Sequence, residues 1–545
     1  MPDNGGVRPQ PAHRPEGHHI SAMTQQIGEL NIAGRHAAAR QDWATVQRCA
    51  QAILSLDRDH PEGHFLSGLV AKAARNPRQA MAAFETVLRI DAQRYDAAVE
   101  LATQLSMARR NGEAAGLLGR YEDQLSNSPK YLDMAATTYT EIGLPERAWP
   151  LYRKAVDLQP EIPLFKGNLA ACAVYVGEME TAQAAYRELL QENPTHQRNH
   201  YHLSRAHRAR DTTHIEQMLD VLDMTRLPPE RNIFLYYALG KEYEDLGLWD
   251  EAFGYYKKGA DAAYAVSGYD VKSDVGIIDT VIEVCDRRWI EQGAAETEIS
   301  RQPLFIVGLP RTGTTLTERI IASHSRVTSI GETEFIQMMI RKVSGVATVE
   351  KMTPGIIKAA AAQPADVIRS GYLDTVDYRL GDEPIFIDKL PFNVLYLGFI
   401  ARAWPGKPIV LLKRNPMDTC FSMYKQVFTW AYKFSYNLET LGAYFIAYER
   451  LCRHWRDVLG DQLVEVQYEN LVANQEEETR RLLDGIGLAF EDACLHFEKN
   501  TAPSTTASSV QVREKVYSNS VQRWRQFERH LEPLRRQLEA AGIGM

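Results

Sequence analysis

Pro303 to Thr315 reads PLFIVGLPRTGTT, and the reading of this stretch decides the architecture of the C-terminal half. Leu304-Phe305-Ile306-Val307 is a short continuous apolar run, the pattern of a strand buried on both faces. Gly308 to Thr315 breaks that run, and Thr317 to Ala322 resumes with helical spacing. A strand, a glycine-bearing loop and a helix N-terminus make an anion cradle, because backbone N–H groups and the positive end of the helix dipole point at one spot. The cradle here carries a cation, Arg311, and hydroxyls at Thr312, Thr314 and Thr315 around Gly313.

The loop is similar to a G-x-x-x-x-G-K-[ST] phosphate loop but places Thr314 where the lysine stands, and its cation comes earlier, at Arg311. That substitution suits a phosphate flanked by a second anionic group better than a nucleoside triphosphate. Downstream, Ile385-Phe386-Ile387 leads to Asp388-Lys389, Ile409-Val410-Leu411-Leu412 leads to Lys413-Arg414, and Leu463-Val464-Glu465-Val466 leads to Tyr468-Glu469. Strands alternating with helices predict a parallel sheet, whose ligands collect at the carboxyl ends of the strands. Lys389, Arg414 and Tyr468 each follow a strand and so converge on the cradle. In Arg414-Asn415-Pro416-Met417-Asp418-Thr419-Cys420-Phe421-Ser422, Pro416 opens a helix, Asp418 serves its first turn, and Ser422 lies far enough along to meet a second phosphate.

The other half repeats. Ala80, Ala114, Ala148 and Ala182 are 34 residues apart, each followed four positions later by a bulky residue: Phe84, Leu118, Tyr152 and Tyr186. Ala252 and Tyr256 are a later copy, and Asp57, Asp91, Gln159 and Asn193 keep the same beat. A small residue for close helix crossing and a large one a turn later, at this period, is the tetratricopeptide (TPR) signature, a stack of helix–turn–helix units with a concave face. Asp211 to Pro229 departs from it. Such arrays bind extended peptides or proteins, or serve as packing and homodimer scaffolds; both uses stand at this point.

Composition sets outer bounds. The 545 residues, 45% hydrophobic and 24% charged, fit a soluble protein of more than one domain. The net charge of −8 argues against nucleic-acid binding, so an anion site has to be local. The six cysteines are scattered without metal-ligand spacing, as expected of free thiols in a reducing compartment. No apolar run reaches the roughly 20 residues of a membrane span. His18-His19 lies in a polar, Pro- and Gly-rich stretch and reads as incidental. The expected division is a tail over 1–21, a TPR array over 22–270, connecting helices over 271–300 and an α/β domain over 301–545.

With these residues in view, the C-terminal half resembles the sulfotransferases that use 3′-phosphoadenosine 5′-phosphosulfate (PAPS), most of all the tyrosylprotein sulfotransferases and their bacterial relatives fused to TPR arrays. The resemblance covers roughly 301–527. It implies a P-loop-like parallel-sheet sulfotransferase domain behind an all-α TPR superhelix. Arg311, Thr312, Gly313, Thr314 and Thr315 match the loop that grips the 5′-phosphosulfate; Arg414 and Ser422 match the pair that grips the 3′-phosphate. Lys389, in IFIDKLPFN, matches the lysine beside the transferred group, and Tyr468 the tyrosine along the cofactor. Counting from Arg311 places the catalytic carboxylate at Glu332, with Glu334 the fallback. The family's active-site serine falls on Gln522, with Ser520 two positions away, and Lys515 or Arg513 is a candidate to close over the cofactor. Phe335 stands near where the family carries an arginine that reads acidic residues around a substrate tyrosine.

The implied activity is transfer of a sulfuryl group from PAPS to an acceptor hydroxyl, a protein tyrosine among the candidates, with Glu332 as base, Arg311 and Lys389 offsetting charge, and no metal. The implied partner is a protein or peptide on the concave face, and the implied compartment the cytoplasm, with neither nucleic acid nor membrane involved. A kinase-like P-loop phosphotransferase and a TPR scaffold with an inactive domain are the competing readings.

Overall fold

The period-two alternation along five short strands sorts their side chains onto two faces of one sheet. β1 (Gln302–Val307), β2 (Val327–Ser329), β3 (Ile385–Lys389), β4 (Ile409–Lys413) and β5 (Leu463–Gln467) run parallel in the order β2-β3-β1-β4-β5. The structure, a computed structural model, describes residues 16–125, 127–293, 301–428, 431–506, 513 and 520–545, with side chains from residue 22 onward. β2 escapes a reading of the sequence because it is three residues long and only Val327 of it is apolar.

Phe305, Val307, Phe386, Ile409 and Leu411 face one core, and Leu304, Ile306, Ile387, Val410 and Leu412 face another on the opposite side of the sheet. The second core is closed by Ile320 and Ile321 of the helix Thr314–Ile321 and by Leu482 and Leu483 of the helix Gln475–Gly485. The connection leaving β1 leads to β2 on one side of the sheet, while that leaving β4 leads to β5 on the other. The crevice between the ends of β1 and β4 is therefore the topological switch point, where open α/β sheets hold their ligands.

The chain comprises two compact units, Met1–Ile142 and Gly143–Met545. The first is wholly helical: hairpins Glu16–Ala39 with Trp43–Leu56, Pro61–Ala73 with Pro77–Ile90 and Tyr95–Met107 with Asn111–Tyr121, then Pro129–Glu141. The second begins with helices of the same kind, from Pro145–Leu158 to Trp249–Ser267. Prolines at the first helical positions, such as Pro61, Pro77, Pro129, Pro145 and Pro163, explain the 34-residue beat, since proline's missing N–H costs nothing there. The repeat alanines and the bulky residues after them are buried. The same contact recurs within each unit: a Cβ on Gly68 would lie 2.5 Å from the Phe84 ring, and one on Gly240 2.6 Å from Tyr256.

Within the second unit the repeat helices and the sheet share a core. Tyr237, Ala252, Phe253 and Tyr256 are buried in one cluster with Phe421, Tyr424, Phe527 and Leu531. The Tyr237 hydroxyl donates to the Tyr424 carbonyl at 3.1 Å, and Phe253 stacks on His530 with ring centroids 4.3 Å apart. Among the described residues no helix is long and apolar enough to cross a membrane, and the six cysteines are free and buried.

Candidate active site

The loop after β1 is shaped by positive φ angles at Gly308 (155°), Arg311 (68°) and Gly313 (99°). The Thr312 hydroxyl donates to the Leu309 carbonyl at 2.7 Å, bracing the loop from within. Gly313 is the N-cap of the helix Thr314–Ile321 and supplies no capping side chain, so the helix start is kept for another acceptor. Thr314 and Thr315 are buried in its first turn. A Cβ on Gly313 would stand 2.5 Å from the Tyr468 ring, which packs on the loop from the end of β5.

Arg414, one residue past β4, turns its guanidinium onto this loop. Nη1 donates to the Arg311 carbonyl at 2.7 Å and lies 3.4 Å from the Ser422 hydroxyl; Nη2 donates to the Ser520 carbonyl at 2.6 Å. Its Cζ lies 4.8 Å from the centre of the Tyr468 ring. Nε is buried and has no acceptor among the described residues. The Tyr468 hydroxyl and Ser520 Oγ are 2.6 Å apart. Arg414, Ser422, Tyr468 and Ser520 thus meet at one place beside the loop. Asn415 caps the helix Pro416–Tyr424, accepting from Met417 and Asp418 N–H at 3.0 and 3.1 Å. Asp418 is buried and accepts the backbone N–H groups of Gln522 and Trp524 at 2.6 and 3.0 Å, fixing the segment that bears Ser520.

On the other side of β1, β3 ends at Lys389, which has no exposed surface. Two backbone bonds extend the pairing of β2 with β3: Ile330 N donates to Ile387 O at 2.9 Å, and Lys389 N to Gly331 O at 3.0 Å. That extension delivers Glu332, whose Oε1 takes the Lys389 ammonium at 2.6 Å. Glu318, from the helix Thr314–Ile321, approaches the same ammonium at 3.5 Å and accepts from Ser329 at 2.6 Å. Burial alone depresses a lysine, yet Glu332 and Glu318 outweigh it and hold the ammonium above its ordinary range. The Glu332 side chain is 36% exposed, so it borders both the buried lysine and open solvent.

Behind Lys389, Asp388 is fully buried and accepts from the Thr333 and Tyr372 hydroxyls at 2.6 and 2.8 Å. Burial pushes its carboxyl up to about 7 against those hydrogen bonds. A partly buried aromatic residue, Tyr432, stands close enough to feel both Glu332 and Glu334; loss of water around its hydroxyl first, then those carboxylates, raises it. Phe392 and Phe428 meet it edge-on.

Other residues singled out in the sequence lie elsewhere. Glu334 pairs with Lys351 at 2.8 Å at the start of the helix Phe335–Ser344, away from Lys389. Arg513 donates to the Tyr175 carbonyl at 2.9 Å, against the repeat helix Pro163–Val176. Gln522 is held by its backbone on Asp418. Lys515 lies outside the described residues. Glu318 was missed; it lies four residues after Thr314, one turn along the helix that leaves a loop already marked as a cradle, a spacing that keeps it on the same face as Thr314. The role of Asp388 had no signal, because a carboxylate at a strand end looks the same whether exposed or sealed.

Residues 303–492 match the sequence model described as the Sulfotransferase family. The chain is 28% identical over 413 residues to an uncharacterized protein of Aquifex aeolicus (strain VF5), covering 74% of this chain and 54% of that one, so it spans about half that relative's length. It is 24% identical over 232 residues to a putative protein-tyrosine sulfotransferase of Caenorhabditis briggsae, covering 41% of this chain and 80% of that one. Among solved structures, the TPR protein YrrB matches at 12% identity and a TM-score of 0.30, over 35% of this chain and 96% of that one.

Proposed function

We propose that this sulfotransferase-family domain moves the sulfuryl group of PAPS to an acceptor hydroxyl, with Glu332 as the general base. One observation carries the reading. Arg414 turns from the end of β4 onto the loop after β1, beside Ser422 and Tyr468, while Lys389 and Glu332 stand at the end of β3, the other neighbour of β1. The uncapped helix start at Gly313 and the buried, unpartnered Arg414 Nε are what a donor with two separate phosphate groups needs. When bound, PAPS supplies the activated sulfuryl group.

The chain's residues then divide the work. The N–H groups and hydroxyls at Thr314 and Thr315 hold the 5′-phosphate, and Arg414 with Ser422 selects the 3′-phosphate. Tyr468 packs along the nucleotide and is positioned by Ser520. Arg311 and Lys389 offset negative charge where the bond to the leaving phosphate breaks. The proton of the attacking hydroxyl goes to Glu332, half-exposed and already aligned by Lys389. The wall of Phe392, Phe428 and Tyr432 suits an acceptor with an aromatic ring, which supports a tyrosine or another phenol. The repeat helices fit delivery of a protein acceptor, and the free, buried cysteines fit the cytoplasm.

The test pairs binding with turnover. Thermal shift with 3′-phosphoadenosine 5′-phosphate against ATP plus Mg²⁺ should favour the former, and incubation of labelled PAPS with cell lysate should transfer label to a phenolic acceptor. Glu332→Gln should bind the bisphosphate within a few-fold of the parent while turnover falls about 10²–10⁴-fold. Normal turnover in that variant would remove Glu332 from the mechanism. A preference for ATP plus Mg²⁺ would replace sulfuryl with phosphoryl transfer.

A further inference from the structure

A second constellation lies among the repeat helices of the same unit, where the 34-residue pattern lapses. His207 follows the helix Gln197–Ala206, His214 opens the helix Thr213–Thr225, and Glu242 lies on the helix Ile233–Asp245. One nitrogen of each ring and one oxygen of the carboxylate all lie within 4.8 Å of one another, the one such group found among the described residues. Glu242 has no exposed surface, and its Oε2 is buried without a hydrogen-bond partner among the described residues.

The backbone carbonyls around these groups place the protons on His207 Nδ1 and His200 Nε2. His207 Nδ1 lies 2.7 Å from the Leu203 carbonyl, which only accepts, so Nδ1 carries the proton and the Nε2 lone pair faces Glu242 Oε1 at 3.6 Å. His200, 2% exposed, donates from Nε2 to the Pro194 carbonyl at 2.7 Å and, as a neutral ring, accepts at Nδ1 from His214 Nε2 at 2.9 Å. A neutral His214 is left with the lone pair of Nδ1, aimed at the same Glu242 Oε1 at 2.6 Å. Two imidazole nitrogens and a carboxylate oxygen thus converge in a buried site, where either a proton on His214 Nδ1 or a bound cation has to stand between them. Each ring donates its remote N–H to a backbone carbonyl or to a further histidine, the arrangement that orients metal-binding imidazoles. The nearby ammonium of Lys241 is already paired with Asp245 at 2.6 Å.

We propose that His207 Nε2, His214 Nδ1 and Glu242 bind a divalent transition-metal ion of the zinc class. Two imidazoles and a carboxylate suit zinc, which leaves a fourth position for water. Tetrahedral zinc with bonds of about 2.0–2.1 Å sets its ligand atoms about 3.3 Å apart, within the spread of separations here after small side-chain rotations. The ion ties the irregular stretch 207–212 to two helices, replacing the packing that the lapsed repeat pattern no longer supplies. Its role is structural, since none of its ligands reaches the residues at the strand ends.

The test uses the full chain stripped with a chelator and then titrated with Zn²⁺, and with Co²⁺ for its visible absorption. Expected are one tight equivalent of Zn²⁺, a tetrahedral Co²⁺ band, and a thermal midpoint several degrees higher with zinc than with chelator. His207→Ala and Glu242→Gln should each weaken binding by about 100-fold or more, beyond the effect of losing an outer-shell partner. Glu242→Gln keeps the shape of the side chain, and His207 sits in a loop, so His207→Ala gives the answer if the buried substitution fails to fold. The proposal is overturned if the parent chain binds no equivalent tighter than about 10 µM. It is equally overturned if the bound equivalent survives in the folded variants. Neither outcome touches the sulfuryl-transfer reading, which uses none of these residues.

Discussion

Asp388 and Lys389 are neighbours in sequence with opposite fates. Lys389 stays charged because two carboxylates reach it, whereas Asp388, in a sealed pocket, hydrogen-bonds hydroxyls and an amide among the described residues and feels Arg379 and Lys389 only through space. Its carboxyl is raised from an ordinary 3.8 to about 7, so the folded state holds its proton more tightly than the unfolded chain does. The resulting cost is absent below about pH 4, grows as pH rises, and is complete above about pH 7–8. The interval corresponds to roughly 4 kcal/mol. Asp388→Asn removes the titration. Denaturant unfolding at pH 5 and pH 8 should therefore show the parent losing about 2–3 kcal/mol relative to the variant between those two values. A constant difference would mean Asp388 is ionised at both. Gly313 offers a second check. Gly313→Ala combines a left-handed backbone with a Cβ against Tyr468, so it should cost about 1–3 kcal/mol and weaken bisphosphate binding, as calorimetry would read.

At the scale of elements, each functional side chain owes its position to a strand end and to a brace from another segment. Two backbone bonds beyond β2 carry Glu332 to Lys389. Asp418 was expected to serve the start of its own helix. Asn415 does the capping, and Asp418 reaches the N–H groups of Gln522 and Trp524, because it faces inward where that segment crosses. Asp418→Ala strands those two N–H groups at about 1–3 kcal/mol each and frees the segment carrying Ser520. Hydrogen exchange at 520–524 should quicken, and bisphosphate affinity should fall with it. Unchanged protection there would show that Trp524 packing alone holds the segment.

At the scale of the whole molecule, the repeat helices of the second unit share the core of the sheet domain. Glu244, on the helix Ile233–Asp245, is buried and pairs with Lys425 at 2.6 Å and Arg523 at 3.2 Å. Burial works against its charge, but those two cations outweigh it and lower its carboxyl. Glu244→Ala leaves both cations without that partner and should cost about 3–5 kcal/mol, read as a lower denaturation midpoint. A midpoint within error of the parent would mean that water reaches this junction.

The chain's order alone determined the two architectures. A 34-residue beat of small and large residues can be satisfied by stacked hairpins, and apolar runs ending in Lys389, Arg414 and Tyr468 by a parallel sheet, because periodicity reports which faces must be buried. The glycine-bearing turn between β1 and the helix Thr314–Ile321 was equally legible, since glycine, proline and a short apolar strand act locally. Folding decided what depends on distance between segments remote in sequence: Glu318 and Glu332 sharing one lysine, Asp388 sealed from water, Asp418 holding a distant backbone. The converging His207, His214 and Glu242 belong to the same class. Charge and lone pairs act through space, and no spacing along the chain records which of them will meet.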